Sequence, residues 1–206
     1  MVTLSRRKLS SSHGALYTPV SGGGGGVNLL TAPKALDDVA WTKLGASINS
    51  NMTTDPDATS LADEMQENAG GPTEWHALQI VSKAASSLSY TAKVYAKAAT
   101  GSRRLVVYVH DNAAANGCYA VFNIPGGAIG VNTGNVGAWS GGTATISSAG
   151  SGWFLCTIPT IVTDTGVTIG VDLQLDNGTG TGGLSNTYTG TAGLSLYLYN
   201  VQLTQP

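Results

Sequence analysis

The sequence predicts an all-β fold, a two-sheet antiparallel jelly-roll sandwich preceded by an extended N-terminal arm. Three observations predict it. Residues 167–175 alternate with period two, placing Val167, Ile169, Val171, Leu173 and Leu175 on one face and Thr168, Asp172 and Gln174 on the other. That pattern belongs to a half-buried antiparallel strand and not to a helix. Eight or more such segments follow one another between turns rich in Gly, Thr, Ser and Asn, the spacing of a sandwich or jelly roll. Charged residues are only 11% of the chain and Gly is 28 of 206, against usual shares of about a quarter and about 7%.

The elements follow in order. Met1 to Val27 reads as an arm with a hinge at Gly22–Gly26, because a glycine run has no preferred conformation and is costly to order. The folded domain is expected over 28–206, beginning at Asn28-Leu-Leu30, with Trp41 as a core aromatic at its edge. Asp55-Pro-Asp-Ala-Thr-Ser60 is a turn, since Asp and Pro initiate turns and Ser and Thr bond their own backbone. Residues 60–68 fit one helical turn or a short strand equally well. Strands are then predicted over 74–82, 89–98, 104–110, 118–124, 143–147, 153–158, 167–175 and 193–203. In 89–98 the inward residues are Tyr90, Ala92, Val94 and Ala96, with Lys93, Tyr95 and Lys97 outward. A Gly- and Thr-rich loop spans 176–190. No fixed-period repeat is present, which argues against a solenoid or propeller.

Several function classes are disfavoured. The net charge is −2, so no general attraction to nucleic acid follows, although residues 1–27 carry +3 and the remainder −5. Arg6, Arg7 and Lys8 supply that basic arm, which suits docking on an acidic surface. Low charge elsewhere fits either a Gly/Ser-rich extracellular domain or a surface that meets other subunits, because interface cores are depleted of charge. No apolar run approaches a membrane span. Ser10-Ser-Ser-His-Gly14 interrupts the apolar region a secretory signal would need, so no signal peptide is expected. Cys118 and Cys156 lie in strand-like contexts and are expected as buried thiols, not metal ligands, with a disulfide the alternative only if their strands are neighbours. His76 and His110 have no acid–base partner visible in sequence. Asp172 and Asp176 have glycosidase chemistry, but Asp172 is expected on a solvated strand face. No nucleophile elbow, His-x-x-x-His pair or phosphate loop occurs, so an enzyme is not expected.

Six segments in order resemble the carbohydrate-binding-module-like jelly-roll domains of tailed-phage structural proteins. They are Asn28-Leu-Leu30 with Trp41; Asn51 with Pro56 to Asp63; Tyr90 to Ala98; Val121-Phe-Asn-Ile124; Gly150-Ser-Gly-Trp-Phe-Leu-Cys156; and Tyr188-Thr-Gly190 with Leu196 to Leu203. The resemblance covers about residues 28–203. It implies a sandwich whose terminal strands are close together, and a place in head appendages, tail fibres or sugar-binding modules. The chain reads Tyr199-Asn-Val-Gln202 where the family commonly has a Trp-Gly-Ala-Gln-like end, one aromatic fewer. Jelly rolls of this type commonly hold calcium, for which Asp55, Asp57 and Asp164 offer oxygen ligands, though at no EF-hand spacing; no cofactor is expected.

Sugar sites stack a ring on an aromatic and fix its hydroxyls with polar side chains. Trp139, Trp75, Tyr108 and Tyr95 are the aromatics expected to be exposed for glycan or interface contact. Trp139 stands first because it lies in the small-residue loop Gly137-Ala-Trp-Ser-Gly141; a cap on the sandwich or an intersubunit anchor is the competing role. Trp41 and Trp153 are assigned to the core. The expected function is a non-enzymatic virion-surface protein, a capsid decoration protein anchored by its arm to neighbouring subunits and forming a homo-oligomer such as a trimer. The alternative is a tail-fibre or other glycan-binding module that adsorbs the particle to host polysaccharide.

Overall fold

Antiparallel pairing of the alternating segments produces two six-stranded sheets and one small ribbon. The computed structural model describes residues 26–73, 75–178 and 187–206. Arg6, Arg7, Lys8 and nearly all of the glycine hinge lie outside the described residues, as does 179–186 of the Gly- and Thr-rich loop. The strands are β1 (Thr42–Leu44), β2 (Ala46–Thr54), β3 (Leu61–Glu67), β4 (Gly70–Thr73), β5 (His76–Ser82), β6 (Ser89–Ala98) and β7 (Arg104–His110). They continue with β8 (Gly117–Asn123), β9 (Ala128–Val136), β10 (Thr145–Gly150), β11 (Trp153–Val162), β12 (Thr168–Asp176), β13 (Tyr188–Gly190) and β14 (Ser195–Thr204). Sheet I runs β1-β5-β12-β7-β8-β9 and sheet II runs β10-β11-β6-β14-β3-β2, with β13 and β4 forming the ribbon. The chain is an all-β jelly-roll sandwich.

The inner faces meet in one apolar core. Sheet I contributes Ala77, Leu105, Val107, Val109, Ala120, Phe122, Ile169, Val171, Leu173 and Leu175; sheet II contributes Tyr90, Ala92, Val94, Ala96, Ile158, Leu196, Leu198 and Leu203. Period two on each strand brings these residues to the same side. Cys118 and Cys156 enter the core from opposite sheets as free, buried thiols. The two chain ends of the domain are clasped by Asn28. Its Nδ2 donates to Val201 C=O at 2.9 Å and its Oδ1 accepts from Leu203 N at 2.9 Å and Leu30 N at 3.2 Å. Gln79 holds the segment after that clasp, accepting from Thr31 N and donating to the Thr31 and Ala40 carbonyls.

One open reading is settled and three expectations change. Residues 61–67 are strand, paired on both sides by β2 and β14, because ladder hydrogen bonds override a short ambiguous pattern. β9 carries two glycines, Gly130 and Gly134, and was not foreseen; it pairs with β8 along its length. Val167 precedes β12 and is exposed, while β12 is buried on both faces rather than one. Trp153 is buried, but on the outer face of sheet II with Tyr199 and Ala62. There the 55–60 turn folds over it, so that Trp153 Nε1 donates to Thr54 C=O at 3.2 Å.

Candidate functional site

The polar side of β12 meets the outer faces of β5 and β7 in strict register. Asp172 stands opposite Leu78 and Tyr108, Gln174 opposite His76 and Val106, and Gly170 opposite Ile80 and His110. Residues directly opposite on antiparallel strands share a face. His76, Leu78, Tyr108, His110, Asp172 and Gln174 therefore converge, although they come from three segments spread over nearly a hundred residues.

Asp172 Oδ2 accepts hydrogen bonds from His76 Nδ1 at 3.1 Å and Gln174 Nε2 at 2.8 Å. His110 Nε2 lies 4.0 Å from the same oxygen. The His110 ring stacks on Tyr108, centroids 4.3 Å apart and planes 27° apart, and its Nδ1 donates to Asp111 C=O. Tyr108 Oη donates to Ala114 C=O at 3.2 Å, so the β7–β8 loop folds back over the ring. Asp111 shapes that loop by accepting from Ala113 N, Ala115 N and Asn116 Nδ2. Burial, and then the Asp111 and Asp172 charges, push the Tyr108 hydroxyl up to about 12. Gly117 makes the stack possible: a Cβ there would fall 2.4 Å from Tyr108 Cε2 and 2.6 Å from Val109 O.

Between the loop and the sheet lies a partly open depression of about 260 Å³, bounded by those six side chains and Asn112–Ala114. Its polar groups are buried yet incomplete. Asp172 is 4% exposed, Gln174 2% and His110 4%, while Asp172 Oδ1, Gln174 Oε1 and His110 Nε2 have no hydrogen-bond partner. Farther along the same strand pair, Asp176 Oδ1 and Arg104 Nη2 are in the same condition, beside the ion pair that Arg104 Nε makes with Asp176 Oδ2. Among the described residues seven buried polar side-chain atoms lack partners, and five of them line this one face of β7 and β12. The other two are the indole nitrogens of Trp75 and Trp139. Each such atom costs about 1 to 3 kcal/mol. Native proteins seldom concentrate that cost in one place unless water or a ligand completes the bonds.

The expected site residues separate. Trp139 and Trp75 are 2% and 1% exposed and belong to the core cluster, which corrects the expectation that they are exposed. Trp139 directly precedes Ser140, which bridges to Val162. Trp75 packs on Tyr188 at 5.8 Å, and Gly190 leaves room for its ring. Tyr108 is also buried, at 2% exposed, because the loop covers it; it nevertheless lines the depression. Tyr95 is half-buried on the opposite sheet against Tyr199. The expected solvated face of Asp172 is corrected too, since its neighbours in the sheet bury it. His76 and His110 both face Asp172, a partnership that only strand register creates. Asp172 and Asp176 do not act together, as Arg104 occupies Asp176.

Two of the carboxylates considered for calcium are engaged in their own loops. Asp55 accepts from Thr59 N, Thr59 Oγ1, Ser60 N and Ser60 Oγ, and Asp164 Oδ1 accepts from Gly166 N in a different loop. Among the described residues no three His, Cys, Asp or Glu side chains gather as a metal set.

No protein-family model and no curated protein matches the chain. Solved structures similar to it include the enzymatically active domain of tailspike protein 4 of bacteriophage CBA120, at 8% identity and TM-score 0.49 over 87% of this chain and 21% of that one. A second is the family 11 carbohydrate-binding module of a cellulosomal cellulase of Clostridium thermocellum, at 10% identity and TM-score 0.42 over 90% and 97% of the two chains. A third is a carbohydrate-binding module that recognises mannan, at 13% identity and TM-score 0.37 over 89% and 96%. The chain spans about a fifth of the tailspike chain's length. These similarities concern strand arrangement, and the functional reading stands on the face of β7 and β12.

Proposed function

We propose that this chain is a non-catalytic glycan-binding module displayed on the surface of a tailed-phage particle. The clustering of unpartnered, buried polar atoms around the depression on sheet I supports binding of a hydrogen-bonding ligand. A polar floor with Tyr108 and His110 at one wall and Leu78 at the other suits a sugar, which offers hydroxyl edges and apolar faces. Binding without turnover is favoured because one carboxylate, Asp172, faces the depression, whereas glycoside hydrolysis uses two. The phage setting rests on the ordered sequence resemblance over 28–203. Binding of the isolated chain to polysaccharide extracted from a phage host, measured by calorimetry, tests the module; absence of heat with every extract overturns it.

A decoration role on the head is the second reading, favoured by a separate observation. From Asn112 to Thr163 the chain has no charged side chain. That stretch forms β8 to β11 and includes the edge strands β9 and β10 of both sheets. Folded proteins usually protect free edges with charge, so an uncharged flank suits contact with capsid or tail subunits or with further copies in a homo-oligomer such as a trimer. The arm, with Arg6, Arg7 and Lys8, would add the anchor. Immunogold labelling of purified particles with antibody against residues 28–206 separates the locations: label over the head supports decoration, and label at the tail tip supports adsorption.

A further inference from the structure

The unpartnered atoms around the depression share one polarity. Asp172 Oδ1 is a carboxylate oxygen and Gln174 Oε1 an amide oxygen, and both only accept. His110 joins them. Its Nδ1 faces the Asp111 carbonyl at 2.5 Å, and a carbonyl only accepts, so Nδ1 bears a proton; whenever the ring is neutral, Nε2 is an acceptor. On the floor of the depression, three side-chain donors are engaged within the protein. Gln174 Nε2 and His76 Nδ1 both donate to Asp172 Oδ2, and Tyr108 Oη donates to Ala114 C=O. Among the described residues no Lys or Arg borders the depression, and Arg104, beyond Val106, is neutralised by Asp176. A ligand that completes this site must bring hydrogen-bond donors, and a carboxylate on it would meet Asp172 in a buried setting where like charges repel strongly.

Resting on the glycan-binding reading, we infer that the site selects neutral, hydroxyl-donating saccharides and rejects acidic ones. Asp172 is its central specificity residue. Gln174 and His110 take further hydroxyls, and Leu78 receives an apolar sugar face.

The test is a glycan array carrying neutral hexose oligosaccharides, uronate oligosaccharides and sialylated oligosaccharides, probed at pH 8 with the full chain, Asp172→Asn and Gln174→Met. The expected result is binding confined to neutral glycans and weakened about tenfold or more by Asp172→Asn. Gln174→Met weakens the same glycans, and thermal melting shows that each variant is folded. Uronate or sialylated glycans bound as tightly as neutral ones overturn the selectivity while leaving glycan binding in place. Loss of all signal, including from the parent chain, overturns the glycan-binding reading and the selectivity with it. Neutral glycans bound equally by the parent and both folded variants place the site elsewhere and also overturn the inference.

Discussion

At the scale of single residues, the proposed function makes Asp172 and Gln174 a trade between stability and binding. Each keeps a buried oxygen without a partner, a cost that apolar residues of similar size would remove. The triple variant His76→Leu/Asp172→Leu/Gln174→Met, which also removes the donor facing Asp172, is therefore expected to melt at or above the temperature of the parent while losing glycan binding; a clear fall in Tm would show that these residues are needed for folding instead. Asp55 behaves in the opposite way. Although burial raises its pKa, hydrogen bonds from Ser60, Thr59 and Tyr199 outweigh this and hold the carboxyl well below its usual range. A depressed folded-state value means that the contribution is present above the unfolded pKa, about 3.9, and fades as pH falls through the folded one. The turn over Trp153 and Tyr199 should thus loosen in acid. Asp55→Asn should melt lower than the parent at pH 7, with the gap closing toward pH 2; a gap independent of pH would refute this account.

At the scale of elements, β5, β12 and β7 form a lattice in which register, more than any one residue, makes the site. Gly117 in β8 shows how little room it leaves. Gly117→Ala must displace the Tyr108 ring or the Val109 backbone, an overpacking cost of about 1 to 3 kcal/mol. It should also weaken glycan binding, because His110 stacks on the displaced ring. Denaturant unfolding and the glycan array read the two effects separately, and an unchanged affinity would show that the stack plays no part in recognition. β6 and β7 have the bounds expected from alternation alone. β9 does not reveal itself, since its glycines erase the apolar period and its pairing with β8 decides its conformation. Residues 61–67 were ambiguous for a related reason: a short, acidic stretch has no marked period, and two neighbouring strands settle it.

At the scale of the whole molecule, the ends of the domain and its core act as one unit. Asn28→Ala removes three hydrogen bonds between the first residues and β14 and should destabilise the fold by about 1 to 3 kcal/mol, measurable by denaturant unfolding. Burial pushes the Cys118 thiol up to about 11 and raises Cys156 as well. Both should resist iodoacetamide at pH 8 in the native protein and label fully once it is unfolded. Rapid labelling of the native protein would mean that the sandwich opens locally.

The sequence by itself determined the fold class, most strand positions, the inward faces of β6 and β12 and the buried state of both cysteines. These follow from local period and composition, which survive in one dimension. Tertiary structure alone decided that the polar side of β12 is buried, that His76 and His110 both face Asp172, and that Trp75 and Trp139 fill the core while Tyr108 borders the site. Those outcomes depend on which strands become neighbours and in what register. Pairing between segments tens of residues apart is a property of the closed sandwich and leaves no local mark on the chain.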